Sequence, residues 1–321
     1  MKSLCFILII SLSATSALSQ SPYIEAVDEY VPAPGQFVNL LPLYEEGDDA
    51  AAMAQKCTEA IAHNAGGMIT LGAWGGYVTF HFDHPVVNVP GQKDIFIAGN
   101  AIEGNSEAGI VMVSCDSNHN GLPDDPWYDL AGSADDALDE VWYDYELTYH
   151  PDDPLADIPW TDNYGDAGIV PRNSFHTQAY FPLWLQAEGE LSFSGIRLPD
   201  NAHDTSGNGS YWTLEAFPYG YADNLPNSNR EANSFDISHA VERYTRAPAY
   251  LSHIDFVRVY TGLNQVCGWL GETSTEITGA EDLHPEATSH LQAPVCKDTD
   301  KIIVDLWGRR QKGIYNIIIQ Q

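Results

Sequence analysis

Short apolar runs follow one another along most of this chain, and glycine, proline or asparagine interrupts nearly every one. They are Met68–Leu71, Tyr77–Phe82, Asp94–Ile97, Ile110–Val113, Val141–Leu147, Glu190–Phe193, Tyr211–Leu214 and Ile254–Tyr260. Runs of this length are too short for stable helices. Within Tyr77–Phe82, moreover, Val78, Phe80 and Phe82 alternate with Tyr77, Thr79 and His81, the period of a strand with one face buried. Many short strands broken by turn residues predict a mostly β chain, an antiparallel jelly-roll-like β-sandwich. One helical pattern opens at Asp48, with Met53, Cys57 and Ile61 on one face and Gly66-Gly67 as its stop. A second, single helical turn is expected over Ser238–Tyr244.

The strand-rich body is expected to span residues 47–270. Residues 20–46, with Pro22, Pro32, Pro34 and Pro42, read as an extended lead-in. Residues 271–299 are polar, with Thr273, Ser274, Thr275, Glu276 and Thr278, and read as a linker. Residues 300–321 read as a terminal hairpin. Residues 1–19 read as a secretory signal peptide: a charged start, an apolar segment from Leu4 to Ala17, and Ala17-Leu18-Ser19 before a cut at Gln20. The expected location is therefore secreted or cell-surface, and no apolar stretch is long enough to predict a membrane span. The formal charge is -31, from 14 Lys+Arg against 45 Asp+Glu, which repels nucleic acid and anionic lipid and attracts cations.

Removal of the leader leaves Cys57, Cys115, Cys267 and Cys296. Four cysteines allow three full pairings. Cys57 precedes the first inferred strand and Cys267 follows the last, so a Cys57–Cys267 bridge would staple the two ends of the sandwich. Cys115, in register with Val111 and Val113, reads as a buried thiol.

The stretch Asp116-Ser-Asn118-His-Asn120-Gly121-Leu-Pro-Asp124-Asp125 places side-chain oxygens at alternate positions, then a glycine, then two carboxylates. Calcium asks for several oxygens at once, and a short loop supplies them in this way. Asp116, Asn118, Asn120, Asp124 and Asp125 are the expected Ca2+ ligands of a clamped connection between two strands. Trp127 stands where a helical EF-hand would need a carboxylate. The competing reading is a turn rich in Asn, Asp and Gly that needs no ion.

Three long polar-aromatic loops join the strands, from Ile158 to His176, from Leu198 to Gly209 and from Tyr219 to Asn229. Loops of this length are commonly functional or disordered, and aromatic residues argue against disorder. Trp160, Tyr164, Tyr219 and Tyr221 offer flat faces for a ring-shaped ligand. Arg172, Asn173, His176, Asn201, Asn224 and Asn227 offer directional hydrogen bonds. Trp184 and Trp212 read as core residues on strands. A catalytic alternative rests on Asp200, His203, Asp204 and Glu215, carboxylates and a histidine gathered in and beside the second loop. There is no Gly-x-Ser-x-Gly elbow, His-Glu-x-x-His helix or phosphate loop.

The chain resembles exported surface proteins of gut-symbiont bacteria labelled as PKD-domain-containing or cell-surface proteins. The resemblance is carried by Phe37–Gly47, Gly67–Gly76, Phe82-Asp-His-Pro85, the Asp116 loop, Asp157–Asn163, Val170–His176, Arg197–Ala202 and Asn264–Glu272. No PKD domain is evident. Such proteins accompany outer-membrane systems for corrinoid uptake, so the resemblance implies capture of a corrinoid (vitamin B12 or a relative) beside an outer-membrane transporter. The tail, with Asp305, Gly308-Arg309-Arg310 and Lys312-Gly-Ile-Tyr315, is similar to a type IX secretion sorting signal and is shorter than the usual one. The function expected from all this is non-catalytic capture of a corrinoid by aromatic loops on a calcium-stabilised sandwich. A carbohydrate-binding module is the first alternative, and a polysaccharide hydrolase or lyase the second.

Overall fold

A computed structural model describes residues 20–136, 140–153 and 155–290. The expected leader and sorting-like tail lie outside these residues, as does Cys296. The body is mostly β, built from antiparallel sheets in a sandwich-like arrangement with one short helix.

The central element is Tyr77–Val87. It pairs on one side with Ala26–Val31 and on the other with His253–Thr261, which in turn pairs with Gly109–Ser114. Trp127–Leu130 and Ala240–Val241 complete a six-stranded sheet. Val78, Phe80 and Phe82 turn inward as their alternation predicts. Thr79, on the opposite face, is also fully buried. Its hydroxyl donates to Glu29 Oε2 at 3.0 Å and accepts from Arg258 Nε at 2.8 Å. The strand is therefore covered on both faces, and a polar residue is tolerated there because its hydrogen bonds are made.

One face of this sheet packs against the helix Ala50–Ile61. Asp49 caps that helix by accepting from Ala52 N at 2.9 Å. Met53, Ala54, Cys57 and Ile61 form its buried stripe and join Val78, Phe80, Val111, Val257 and Ile277 in the largest core cluster. The helix ends at Ile61, before Gly66-Gly67, where His63 takes a left-handed φ of 53°. A second sheet, Trp142–Tyr149 with Leu191–Arg197, Ile158–Asp162 and Ala167–Val170, supplies Tyr145, Leu147, Tyr149 and Phe193 to another cluster that includes Trp74 and meets Tyr77. Gly75, at φ +88°, lies where a Cβ would sit 2.5 Å from Phe193, so close packing of the two sheets requires glycine there.

Several expectations need correction. The lead-in is not merely extended, because Ala26–Val31 is a sheet strand that precedes the helix. The expected linker is core over part of its described length: Thr273, Ser274, Thr275, Glu276 and Ile277 are all buried, while residues 291–299 lie outside the described residues. Glu276–Ile277 pairs with Ile69–Thr70, and Gly279–Asp282 pairs with Ile95–Ala98. Threonine and serine signal a linker only when water satisfies them, whereas here the protein does. Thr275 Oγ1 donates to Glu107 O at 2.7 Å, and Thr275 N donates to Thr261 Oγ1. The first long loop is a hairpin, Ile158–Asp162 against Ala167–Val170, and part of the second pairs Ala202–Asp204 with Trp212–Leu214. The turn after Ser238 is shorter than expected, a 3-10 turn over Ile237–His239. Trp184 lies on the 3-10 helix Leu183–Glu188, stacked between Tyr30 and Tyr44.

The Cys57–Cys267 bridge is absent, and both residues are buried free thiols. Cys57 belongs to the helix stripe, while Cys267 Sγ lies 3.5 Å from Thr273 Oγ1 beside a surface cleft. Burial pushes the Cys57 thiol well up and the Cys267 thiol up to about 11, so neither is ionised near neutral pH. Cys115, expected as a thiol, is disulfide-bonded.

Candidate functional site

Two clefts flank the segment Asn264–Glu272. The larger, about 500 Å³, is lined by Trp160, Gly168, Ile169, Asp200, Ala202, Trp212, Asn264, Gln265 and Val266. Trp160 sits on the hairpin directly opposite Gly168, and a Cβ on Gly168 would lie 2.4 Å from the indole. The missing side chain lets the ring lie flat across the neighbouring strand. Trp212 packs in the same way on Gly268, 2.4 Å from where its Cβ would be. The expected core role of Trp212 is therefore only half right: the residue is half-buried, and it walls the cleft.

The second cleft, about 290 Å³, is lined by Gln36, Phe37, Asn105, Glu107, Asn173, Phe175, His176, Leu214, Cys267, Trp269, Leu270 and Glu272. His176 meets the Phe37 ring edge-on at 4.7 Å, and Phe175 meets Trp269 at 6.4 Å. Phe175 and Trp269 are exposed, an apolar pair at the mouth. Asn173 Oδ1 accepts from Phe175 N and His176 N, which shapes the turn that presents them.

At the floor lie carboxylates. Glu272 is 4% exposed; its Oε1 accepts from Gln36 N at 2.6 Å, and its Oε2 is buried without a hydrogen-bond partner. Glu107 is half-buried and also lines the cleft. Behind it are Asp223 and Glu276, both buried. Burial pushes the Glu272 carboxyl up to about 8. Burial and then the neighbouring Asp223 charge push Glu276 up to about 8. Asp223 is pushed up to about 6 by burial, against the pull of three backbone N–H donors. Glu107 is raised by burial and by Glu276 and Asp223. Low-polarity surroundings penalise the ionised form of all four, and like charges add to this at Glu107 and Glu276.

The expected ligand residues thus divide. Trp160 lines the first cleft, and Asn173 and His176 line the second. Tyr164 is exposed elsewhere, stacked on Tyr145 and bonded to Asp144. Arg172 spends its guanidinium on the carbonyls of Leu155, Thr177 and Gln178. Asn201 is buried, donating to Ser106 O and Glu215 O and accepting from Gln265 Nε2. Asn224 is buried, accepting from Ser106 Oγ and Phe217 N. Tyr221 is a core residue whose hydroxyl accepts from Ala134 N. Tyr219 is exposed beside Ser133, and Asn227 exchanges hydrogen bonds with Gly99. Gln36, Phe37, Glu107, Trp269 and Glu272 were not foreseen. The only sequence signal for the last two was Trp269-Leu-Gly-Glu272, an aromatic and an acid astride the expected boundary between the body and the linker.

The catalytic alternative in the second loop is poorly arranged. His203 Nε2 and Glu215 Oε2 are 3.8 Å apart and exposed. The Ser206 hydroxyl first, and then backbone N–H groups, hold the Asp204 carboxyl below its usual range, the opposite of a proton donor.

In the Asp116 loop, the side chains converge. Asp116 accepts from Asn120 N and Gly121 N, and Asn118 Oδ1 accepts from Asn120 N. The amides of Asn118 and Asn120 both donate to Asp124. Ser117 Oγ donates to Asp125 Oδ1, while Asp125 Oδ2 is buried and unpartnered. Gly121, at φ +73°, makes the sharp turn. The loop's own N–H and O–H groups thus engage its oxygens, as in the ion-free turn, while Asp125 Oδ2 is left without a partner. No protein-family model matches the chain, and no curated protein matches its sequence.

Proposed function

We propose that this protein is an exported, cell-surface binder that captures a small ligand in the clefts beside Asn264–Glu272 without transforming it. The observation that carries the reading is the pair of indoles, Trp160 and Trp212, on a 500 Å³ cleft with Asp200, Asn264 and Gln265 among its lining residues. Flat apolar faces beside a few polar groups suit a ring-bearing ligand that needs both contact area and orientation, and the volume lies in the usual range for small-molecule sites. The hydrogen bond from Asn264 Nδ2 to Tyr145 Oη and those between Gln265 and Asn201 hold the lining still, so little ordering entropy is lost on binding. Calcium in the Asp116 loop would stiffen the connection between Gly109–Ser114 and Trp127–Leu130 in the same sense.

The ligand class is a corrinoid ahead of a glycan, on the resemblance to surface proteins of corrinoid-uptake systems, with an outer-membrane transporter as the partner. Calorimetric titration with cyanocobalamin tests this, and absence of heat at micromolar protein removes the corrinoid. A glycan array tests the carbohydrate alternative. One observation favours catalysis as a second reading: Glu107 and Glu272, two carboxyls with raised pKa values, line one aromatic-rimmed cleft. Reducing-sugar release from a polysaccharide that Glu272→Gln abolishes would replace the binder by a hydrolase.

A further inference from the structure

Behind the second cleft, Glu107, Asp223 and Glu276 each place a carboxylate oxygen within 4.8 Å of the other two. They come from three distant parts of the chain: the segment leading into the strand Gly109–Ser114, the loop after Tyr221, and the short strand Glu276–Ile277. Their donors are neutral. Asp223 Oδ1 accepts from Asn100 N and Ala101 N, and its Oδ2 accepts from Glu276 N. Glu276 Oε1 accepts from Thr70 Oγ1 at 2.9 Å and Ser274 Oγ at 2.8 Å. Glu107 Oε1 accepts weakly from Ser274 N, and its Oε2 weakly from Asn105 Nδ2, each at 3.3 Å. Among the described residues, no Lys, Arg or His forms an ion pair with any of them or with Glu272.

Buried carboxylates without a cation are costly, and a protein keeps them only by filling them with protons or with a metal ion. A separate observation points to the ion. Glu272 Oε2 is a buried, unpartnered oxygen on the cleft that Glu107 also lines, and the Glu272 charge is near enough to be felt by both Glu107 and Glu276, so an orphaned acceptor stands between the open cleft and the three carboxylates. We propose that Glu107, Asp223 and Glu276 hold a divalent cation of the calcium class, admitted through the cleft past Glu272. The donor set is all oxygen, which disfavours zinc and copper. The choice between hard ions follows from the surroundings: Mg2+ keeps several waters and is seldom held in an all-protein cage, whereas Ca2+ accepts carboxylates gathered from separate segments. This site is separate from the exposed Asp116 loop, and it does not depend on which ligand the clefts hold.

The test uses the full chain carrying Asp116→Ala and Asp124→Ala, which removes the loop as a calcium site. After chelator treatment, calorimetric titration with CaCl2 should still find one site per chain, and saturating calcium should raise the Tm. Adding Glu276→Gln should weaken that binding by about 100-fold through loss of a charged ligand. Should Glu276→Gln not fold, Glu107→Gln, at the less buried position, carries the same expectation. The proposal is overturned if the loop-deleted protein gives neither calcium heat nor a calcium-dependent Tm. It is equally overturned if the Gln variants bind calcium as tightly as their parent. Corrinoid or glycan binding is not read in any of these experiments, so failure here and failure of the ligand reading are distinct results.

Discussion

Arg246 sits among acids, and its removal is a stringent probe of how the polar interior is balanced. Its Nη1 lies 2.6 Å from Asp129 Oδ2 and its Nη2 2.8 Å from Asp135. The guanidinium lies 4.8 Å from the centre of the Tyr143 ring, whose hydroxyl donates to Asp135 at 2.7 Å. Asp129 is 1% exposed and belongs to the strand Trp127–Leu130, so it cannot swing out to water. Burial pushes its carboxyl up, and Arg246 is the largest of the influences pulling it down. Arg246→Met keeps the apolar stem and deletes the charge. Removing one partner of a buried pair strands the other, at about 3–5 kcal/mol. At about 2–4 °C per kcal/mol for a chain of this size, the Tm should fall by roughly 10 °C. The stranded Asp129 then has a folded pKa raised above its unfolded value. The stability it permits is present below the ordinary carboxylate pKa and is lost as pH rises. Urea denaturation should therefore show a deficit larger at about pH 7 than at about pH 5. Asp129→Asn added to Arg246→Met should recover about half of the loss, because a neutral amide is cheaper to bury. A deficit below about 1 kcal/mol, or one equal at both pH values, would refute the reasoning.

Three other outcomes are expected. His81 is raised from its ordinary 6.5 chiefly by its hydrogen bond to Asp28, 2.9 Å away. The stability from this pair is complete below 6.5 and lost as pH climbs through the raised folded value, and Asp28→Asn should flatten that part of a Tm-against-pH curve. Replacing Asp116 and Asp124 by Ala should lower the Tm in calcium and shrink its dependence on chelator; an unchanged melt in both conditions would remove the ion from the loop. Trp160→Ala should weaken ligand binding by calorimetry at least about 10-fold, for loss of one stacked ring, and should also lower the Tm, because the indole packs against the second core cluster; a normal affinity in the folded variant would move the ligand away from the larger cleft.

The strands that dominate the sheets were legible because their alternation or apolar content survives in the sequence. Tyr77–Val87 and His253–Thr261 sit where the Tyr77 and Ile254 runs predict them, and the helix, expected to open at Asp48, begins at Ala50 behind the Asp49 cap. What misled is polarity inside the body. Thr273–Glu276 reads as linker because hydroxyls and a carboxylate prefer water. It is buried because Thr261, Thr70 and Glu107, remote in sequence, supply the missing partners. The candidate site failed for a related reason. Asn201, Asn224 and Arg172 look like ligand-binding groups until their backbone partners are known, and those partners are set by tertiary structure alone. Trp160 was legible as a loop aromatic and His176 as a polar loop residue, but their separation into two clefts was not.

The pairing of Thr70 with Ser274 and Glu276 joins residues 204 and 206 positions apart. Contacts of such long range form late, since the intervening chain must first be gathered. Ile69, Leu71 and Ile95 thus lack part of their cover until residues near 282 arrive. On a ribosome, the growing body therefore stays unlocked until the segment Glu276–Asp282 has emerged, and that segment is the bolt that closes it.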